Sequence, residues 1–168
     1  MNWQNWNTLF YLKDRIKRVG RFLNEEDNLY VGTSTIPGAG NGLFTKKGFK
    51  KNEIITWYDG KIERYTDKIA SDDKSHSITL TWQDLVISGY KDPIIGYGAG
   101  SFINDAKNTD DTNAEYKKID IPEWGSQPMI IVKAIKDIPP NSEIFMRYGK
   151  TYWKREETAG NKFFSFFC

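Results

Sequence analysis

At 168 residues, 39% hydrophobic and 27% charged, the chain has the size and balance of one globular domain with a short extension, which excludes a disordered segment. A net charge of +2 is too small to argue for direct binding of nucleic acid, and one histidine (His76) with one cysteine (Cys168, the last residue) excludes an internal disulfide framework and a cysteine-built zinc site. No apolar run is long enough to span a membrane and the polar Met1–Asn7 start does not read as a signal peptide, so an intracellular protein without a membrane partner is expected.

The first predicted element is a helix over residues 3–19. Trp6, Leu9, Leu12, Ile16 and Val19 recur at three- and four-residue steps, Lys13, Arg15, Lys17 and Arg18 take the other positions, and Gly20 is its stop signal. From Leu29 the period changes to short β-branched or aromatic runs at 29–33, 43–45, 53–58, 77–80, 85–88, 115–119, 129–135 and 143–147. Glycine, proline, asparagine or aspartate separates most of them, leaving no room for regular crossover helices, although residues 65–70 could form a helical turn. The expected class is therefore mainly β.

Between the first two runs lies Pro37-Gly38-Ala39-Gly40-Asn41-Gly42-Leu43-Phe44. Its glycine spacing is not that of the dinucleotide fingerprint and no Gly-Lys-Ser/Thr follows, so neither nucleotide-binding reading holds. What remains is either a tight turn or a loop whose bare backbone can approach a ligand closely. The basic cluster Lys46, Lys47, Lys50 and Lys51 reads as a solvated turn. Two polar turns, 47–54 and 136–144, echo each other by each delivering Glu-Ile into a strand. Residues 108–113, polar and acidic, read as a surface loop.

Two further segments place polar groups at the ends of rigid elements, where sites are usually built. Gly100-Ser101-Phe102-Ile103-Asn104-Asp105 sets an amide after an apolar pair, and Glu143-Ile144-Phe145-Met146-Arg147-Tyr148-Gly149 ends a predicted strand on a phenol beside bare backbone. The tail, Phe163-Phe164-Ser165-Phe166-Phe167-Cys168, carries four phenylalanines in six residues and is expected to cover core, partner or ligand.

Together the glycine segment, Phe102-Ile103-Asn104-Asp105 and the Glu143–Gly149 segment resemble the SET-domain protein lysine methyltransferases, over roughly residues 28–153. The Tyr58-Asp59-Gly60 step also fits, and the short length and lone cysteine are similar to the minimal viral members that lack zinc-binding flanks. The resemblance implies a fold of small β-sheets with a C-terminal pseudoknot spanning 28–153, preceded by an N-terminal helical extension over 1–27 and followed by an aromatic tail over 154–168. It implies methyl transfer from S-adenosyl-L-methionine to the side-chain amine of lysine in a protein or peptide substrate, a histone tail being the family's usual target, in a nuclear or virus-associated setting. No metal is implied. By motif position, Gly38, Ala39, Gly40 and Asn41 would hold the methionine part of the cofactor. Phe102, Asn104 and the Asp105 main chain would hold the adenosine, and Tyr148 would stand where the methyl crosses. Tyr58 and Tyr116 would line the lysine channel, giving three catalytic tyrosines with Tyr148.

The sequence departs from the family pattern at several places. Asn-Asp-Ala stands for Asn-His-Ser, so Asp105 adds a charge; Ser101 and Arg147 replace the usual Arg and Asp, and Ala114 replaces a cysteine. The competing expectation is a SET-like module that binds peptide without catalysis.

Overall fold

The computed structural model describes residues 28–64, 76–80, 85–94, 97–107, 110–120 and 128–148. The predicted helix over 3–19, the turn at 65–70 and the aromatic tail lie outside the described residues.

The described chain is built from short strands in small sheets with one 3-10 turn, Gly100–Phe102. Strands β1 (Leu29–Thr33) and β2 (Asn41–Thr45) form an antiparallel pair closed by the glycine-rich loop. Strand β3 (Ile54–Trp57) pairs with β9 (Pro128–Ala134), which also pairs with β8 (Ala114–Asp120), giving the order β3-β9-β8. A second three-stranded sheet, β4-β6-β5, comprises β4 (Gly60–Arg64), β5 (Ser77–Leu80) and β6 (Leu85–Gly89). Finally β7 (Asn104–Asp105) and β10 (Phe145–Met146) pair in parallel.

The runs predicted from β-branched and aromatic residues become strands with shifts of one or two residues at most ends. Two differences have physical causes. Gly60–Arg64 was not expected as a strand, since one isoleucine among a glycine and three charges carries no β pattern, yet all five residues pair with β6. The run at 143–147 shrinks to two residues of ladder because Glu143 makes only a single antiparallel bridge, to Phe44, and the Tyr148 N–H goes to the Asp105 carboxylate rather than to a strand carbonyl.

The echo between the two Glu-Ile turns has a structural counterpart. Phe49 and Ile138 form an antiparallel bridge, with N–H···O distances of 2.9 and 2.8 Å in the two directions. Asn52 and Asn141 take left-handed backbone, φ 75° and 58°, which asparagine tolerates best after glycine. Lys50 pairs with Asp137 at 2.9 Å, and Asp137 also accepts the Lys51 N–H at 2.8 Å, so the basic cluster is partly neutralised within the chain. Both side chains are well exposed, and such a pair adds little to stability.

Leu29, Leu43, Ile55, Ile103, Val132, Ile144 and Met146 are almost wholly buried and make one core beneath the crossing of β2, β7 and β10. The 142–148 segment runs through that core, hydrogen-bonded on both sides. Ile144 N donates to Leu43 O at 2.8 Å on one side, and Phe145 N donates to the Asn113 side chain at 2.8 Å on the other. This is the crossing the pseudoknot expectation describes. It also corrects the reading of 108–113 as plain surface: Asp110 and Asp111 are exposed, whereas Thr112 and Asn113 are buried. Asn113 stands in for a strand partner, since its amide also donates to Glu143 O at 2.9 Å.

Candidate functional site

The glycine loop is fixed by its own backbone. Ser34 N donates to Gly40 O at 2.8 Å and Ala39 N to Ile36 O at 3.1 Å. Closing the loop so tightly puts Gly38 and Gly40 at φ 77° and 73°, a region costly for residues with a Cβ. A Cβ added at either glycine would meet nothing within 4 Å, so this stretch of backbone faces open space.

One carboxylate ties that loop to the crossing strands. Glu143, 6% exposed, accepts the Ser34 hydroxyl at 2.7 Å, the Thr35 N–H at 2.7 Å and the Thr35 hydroxyl at 2.6 Å. It also receives the Asn104 amide at 3.3 Å, and that amide donates to Asn41 O at 2.9 Å. Gly42 lies so near that a Cβ there would collide with the carboxylate. No local sequence pattern marked Glu143 as more than the start of a strand, because its partners lie 108 and 109 residues away.

Asp105, the departure that added a charge, is also 6% exposed. Its carboxylate accepts the Lys107 N–H at 2.7 Å and the Tyr148 N–H at 3.0 Å. The aspartate thus fastens the backbone of the strand-end tyrosine to the neighbouring strand. The Tyr148 hydroxyl in turn donates to Ile103 O at 2.5 Å, so both ends of that residue are held by the 103–105 segment.

Tyr58 and Tyr116 meet edge to face, with ring centroids 5.7 Å apart at 77°. The Tyr58 hydroxyl donates to His76 O at 2.5 Å and the Tyr116 hydroxyl to Gly100 O at 3.1 Å. Part of Tyr116 reaches the surface, but its phenol lies deep. Burial pushes the phenol well above its usual range, and the nearness of Tyr58 and Tyr148 adds to this. Tyr116 is therefore a protonated hydrogen-bond donor throughout the neutral range.

A cavity of about 450 Å³ opens where these elements meet. One wall is Ile36 to Asn41, and the facing wall is Ser101, Phe102, Asn104 and Asp105 together with Tyr148. His76, Lys91 and Lys107 also line it. All eight positions assigned by motif to the cofactor, scattered from Gly38 to Tyr148, are brought to this one cavity. Tyr58 and Tyr116 are not among its lining residues; the Tyr58 backbone lies beside Gly100, and the Tyr116 hydroxyl donates to Gly100 O. Sequence reasoning missed Ser34, Thr35 and Glu143, which hold the loop, and His76, Lys91 and Lys107 in the lining. Only the Glu-Ile delivery at 143 carried any signal. Among the described residues no cluster of His, Cys, Asp and Glu could hold a metal ion.

A family profile described as SET domain matches residues 40–149. Among solved structures, that of the Chaetomium thermophilum polycomb repressive complex 2 aligns at 24% identity with a TM-score of 0.58, over 74% of this chain and 15% of that chain. A structure of ctPRC2 in an autoinhibited conformation bound to S-adenosylmethionine aligns at 23% identity and a TM-score of 0.57, over 78% of this chain and 17% of that one. A humanized mutant of the Chaetomium thermophilum complex bound to the inhibitor GSK343 reaches 26% identity and 0.57, over 73% and 15%. The likeness is one of fold, and this chain spans only 15% to 17% of the length of the chains it matches.

Proposed function

The chain belongs to the SET-domain family, and we propose from that membership that it transfers a methyl group from S-adenosylmethionine to the side-chain amine of lysine in a protein substrate, with a histone tail as the first candidate. One observation carries this reading: the glycine loop, the Asn104–Asp105 strand and Tyr148 converge on one cavity. A chromatin setting, and kinship with the small zinc-free viral members, belong to the same proposal.

The residues present fit the cofactor. The cavity's volume falls within the roughly 300–1,000 Å³ of small-molecule sites. Gly38 and Gly40 present backbone without side chains to open space, so N–H and C=O groups of residues 38–41 can take a zwitterionic amino-acid moiety. Phe102 offers a ring, and Asn104 with the Asp105 main chain offers polar groups, for the adenosine. When bound, S-adenosylmethionine supplies a methyl on a sulfonium, which calls for no covalent enzyme intermediate.

What the chain contributes is then mainly alignment and exclusion of water. The Tyr148 phenol directs its hydrogen to Ile103 O, and a phenol oxygen is an acceptor as well as a donor, which suits it to an incoming amine N–H. Tyr58 and Tyr116 would wall the channel with rings and lower the amine's pKa toward its neutral, nucleophilic form by desolvation.

Two expected results test this. Saturating S-adenosylmethionine at about a hundred times its dissociation constant should stabilise the protein by roughly 2.7 kcal/mol. That corresponds to about 5–10 °C in a thermal-shift assay on a chain of this size. Absence of any shift favours the competing peptide-binding module. Mass spectrometry of a histone mixture incubated with protein and cofactor would then identify the substrate.

The second result concerns product. On this reading the Tyr116 phenol, edge to face with Tyr58, would stand where additional methyl groups have to turn, and each added methyl removes an N–H donor. Monomethyl-lysine is the expected main product, with Tyr116→Phe shifting it toward di- and trimethyl-lysine. Wild-type protein that runs freely to trimethyl-lysine on a peptide carried to completion would remove Tyr116 from the channel.

A further inference from the structure

Next to Tyr58 the chain gathers a carboxylate and three rings that methyl transfer does not use. Asp59 accepts the Gly60 N–H at 3.0 Å through Oδ1, and the Trp57 indole N–H at 3.1 Å and Gly98 N–H at 3.3 Å through Oδ2. These donors are neutral, and among the described residues no cation pairs with Asp59. A carboxylate offers about four acceptor positions, so room for another donor remains.

The rings lie close by. Tyr97 directly precedes Gly98, is 40% exposed, and meets Tyr90 edge-on with centroids 5.4 Å apart at 82°. Gly98 itself lies against the Trp57 indole, where a Cβ would come within 2.7 Å of Cδ1 and Nε1. Tyr90 senses the same carboxylate: its phenol is raised above the ordinary range first by burial, then by the Asp59 charge, then by Tyr97. A carboxylate with no cationic partner among the described residues, half-buried near partly exposed rings, is an arrangement that suits a cation.

We propose that Asp59, Trp57, Tyr90 and Tyr97 form a recognition site for a cationic side chain, arginine in particular, flanking the target lysine of the protein substrate. The term substrate here rests on the methyltransferase reading above; the cation site itself does not. Arginine suits it better than lysine because a planar guanidinium can stack on a ring and donate to a carboxylate at once. Position supports the link to the lysine channel. Tyr58 lies between Trp57 and Asp59 in the chain, and the Tyr90 carbonyl accepts the hydroxyl of Ser101, a residue of the cavity wall, at 3.0 Å.

The test is fluorescence anisotropy with two labelled peptides, each with a central lysine, flanked on both sides by arginine in one and by its neutral isostere citrulline in the other. Wild-type protein should bind the arginine peptide about tenfold more tightly, close to 1.4 kcal/mol. Asp59→Asn and Tyr97→Leu should each bring the two affinities within about twofold, without altering the thermal shift given by S-adenosylmethionine. Asp59 also holds backbone, so if Asp59→Asn fails to fold, Tyr97→Leu at its exposed position decides alone. Equal affinities in the wild type, or a preference that survives Tyr97→Leu, overturns the proposal. Arginine preference without methyl transfer would sink the methyltransferase reading and keep the cation site. Methyl transfer without arginine preference would do the reverse.

Discussion

Tyr148→Phe should lower the rate of methyl transfer by about 10²–10³ while leaving S-adenosylmethionine affinity almost unchanged. The ring would stay, because its backbone N–H is held by Asp105 at 3.0 Å and the residue packs against the main core. What disappears is one oxygen, held in place by its bond to Ile103 O at 2.5 Å. An oxygen oriented in a water-poor cavity is worth far more to a transition state than the same group in water. The size of the expected loss reflects that pre-orientation. Single-turnover rates with a lysine peptide, set beside cofactor affinity from calorimetry, separate the two quantities. A variant that turns over at the wild-type rate would take the phenol out of the mechanism.

Glu143→Ala is expected to have the largest effect on the fold around the cavity, although the residue does not line it. Its carboxylate is the common acceptor for Ser34, for the Thr35 N–H and hydroxyl, and for Asn104. Removing it strands several donors, some of which water can reach because Thr35 is exposed. The net cost should be about 2–3 kcal/mol, taking roughly 1–3 kcal/mol for each buried group left unsatisfied. That corresponds to a melting temperature about 5–10 °C lower. Because the carboxylate holds the glycine loop in place, S-adenosylmethionine should also bind at least about tenfold more weakly, a loss near 1.4 kcal/mol. Gly42→Ala should reproduce the weaker binding from the other side, since its Cβ would displace the same carboxylate. Cofactor affinity that stays at the wild-type value in both variants would show that the loop does not need this clamp.

Much of the fold and of the candidate site was legible along the chain, and for a local reason. Alternating β-branched and aromatic residues, broken by glycine and asparagine, specify short strands through sterics within a few residues, and β1 and β5 form at the expected bounds. The glycines at 38 and 40 read as a tight turn or a bare-backbone loop, and both take the left-handed backbone that no other residue adopts so cheaply. A tyrosine at a strand end beside glycine is likewise a local signal, and Tyr148 does line the cavity.

Partnerships across the chain left no such trace. Asp105 read as an unexplained charge until its carboxylate was found on the Tyr148 N–H, 43 residues on. Asn113 read as one more polar residue of an acidic loop, yet it is buried and bonded to Glu143 and Phe145. Asp59 gave no sign of its partners, because Gly98 reaches it from almost forty residues away. A side chain's propensity acts within its own turn or strand, whereas the value of a buried carboxylate or amide depends on which donors the folded chain brings to it. The sequence by itself therefore determined the small-sheet architecture, the glycine loop and the strand-end tyrosine. Only the tertiary structure decided which charges hold them together, because hydrogen-bond partners more than a few residues apart are chosen by the path of the whole chain.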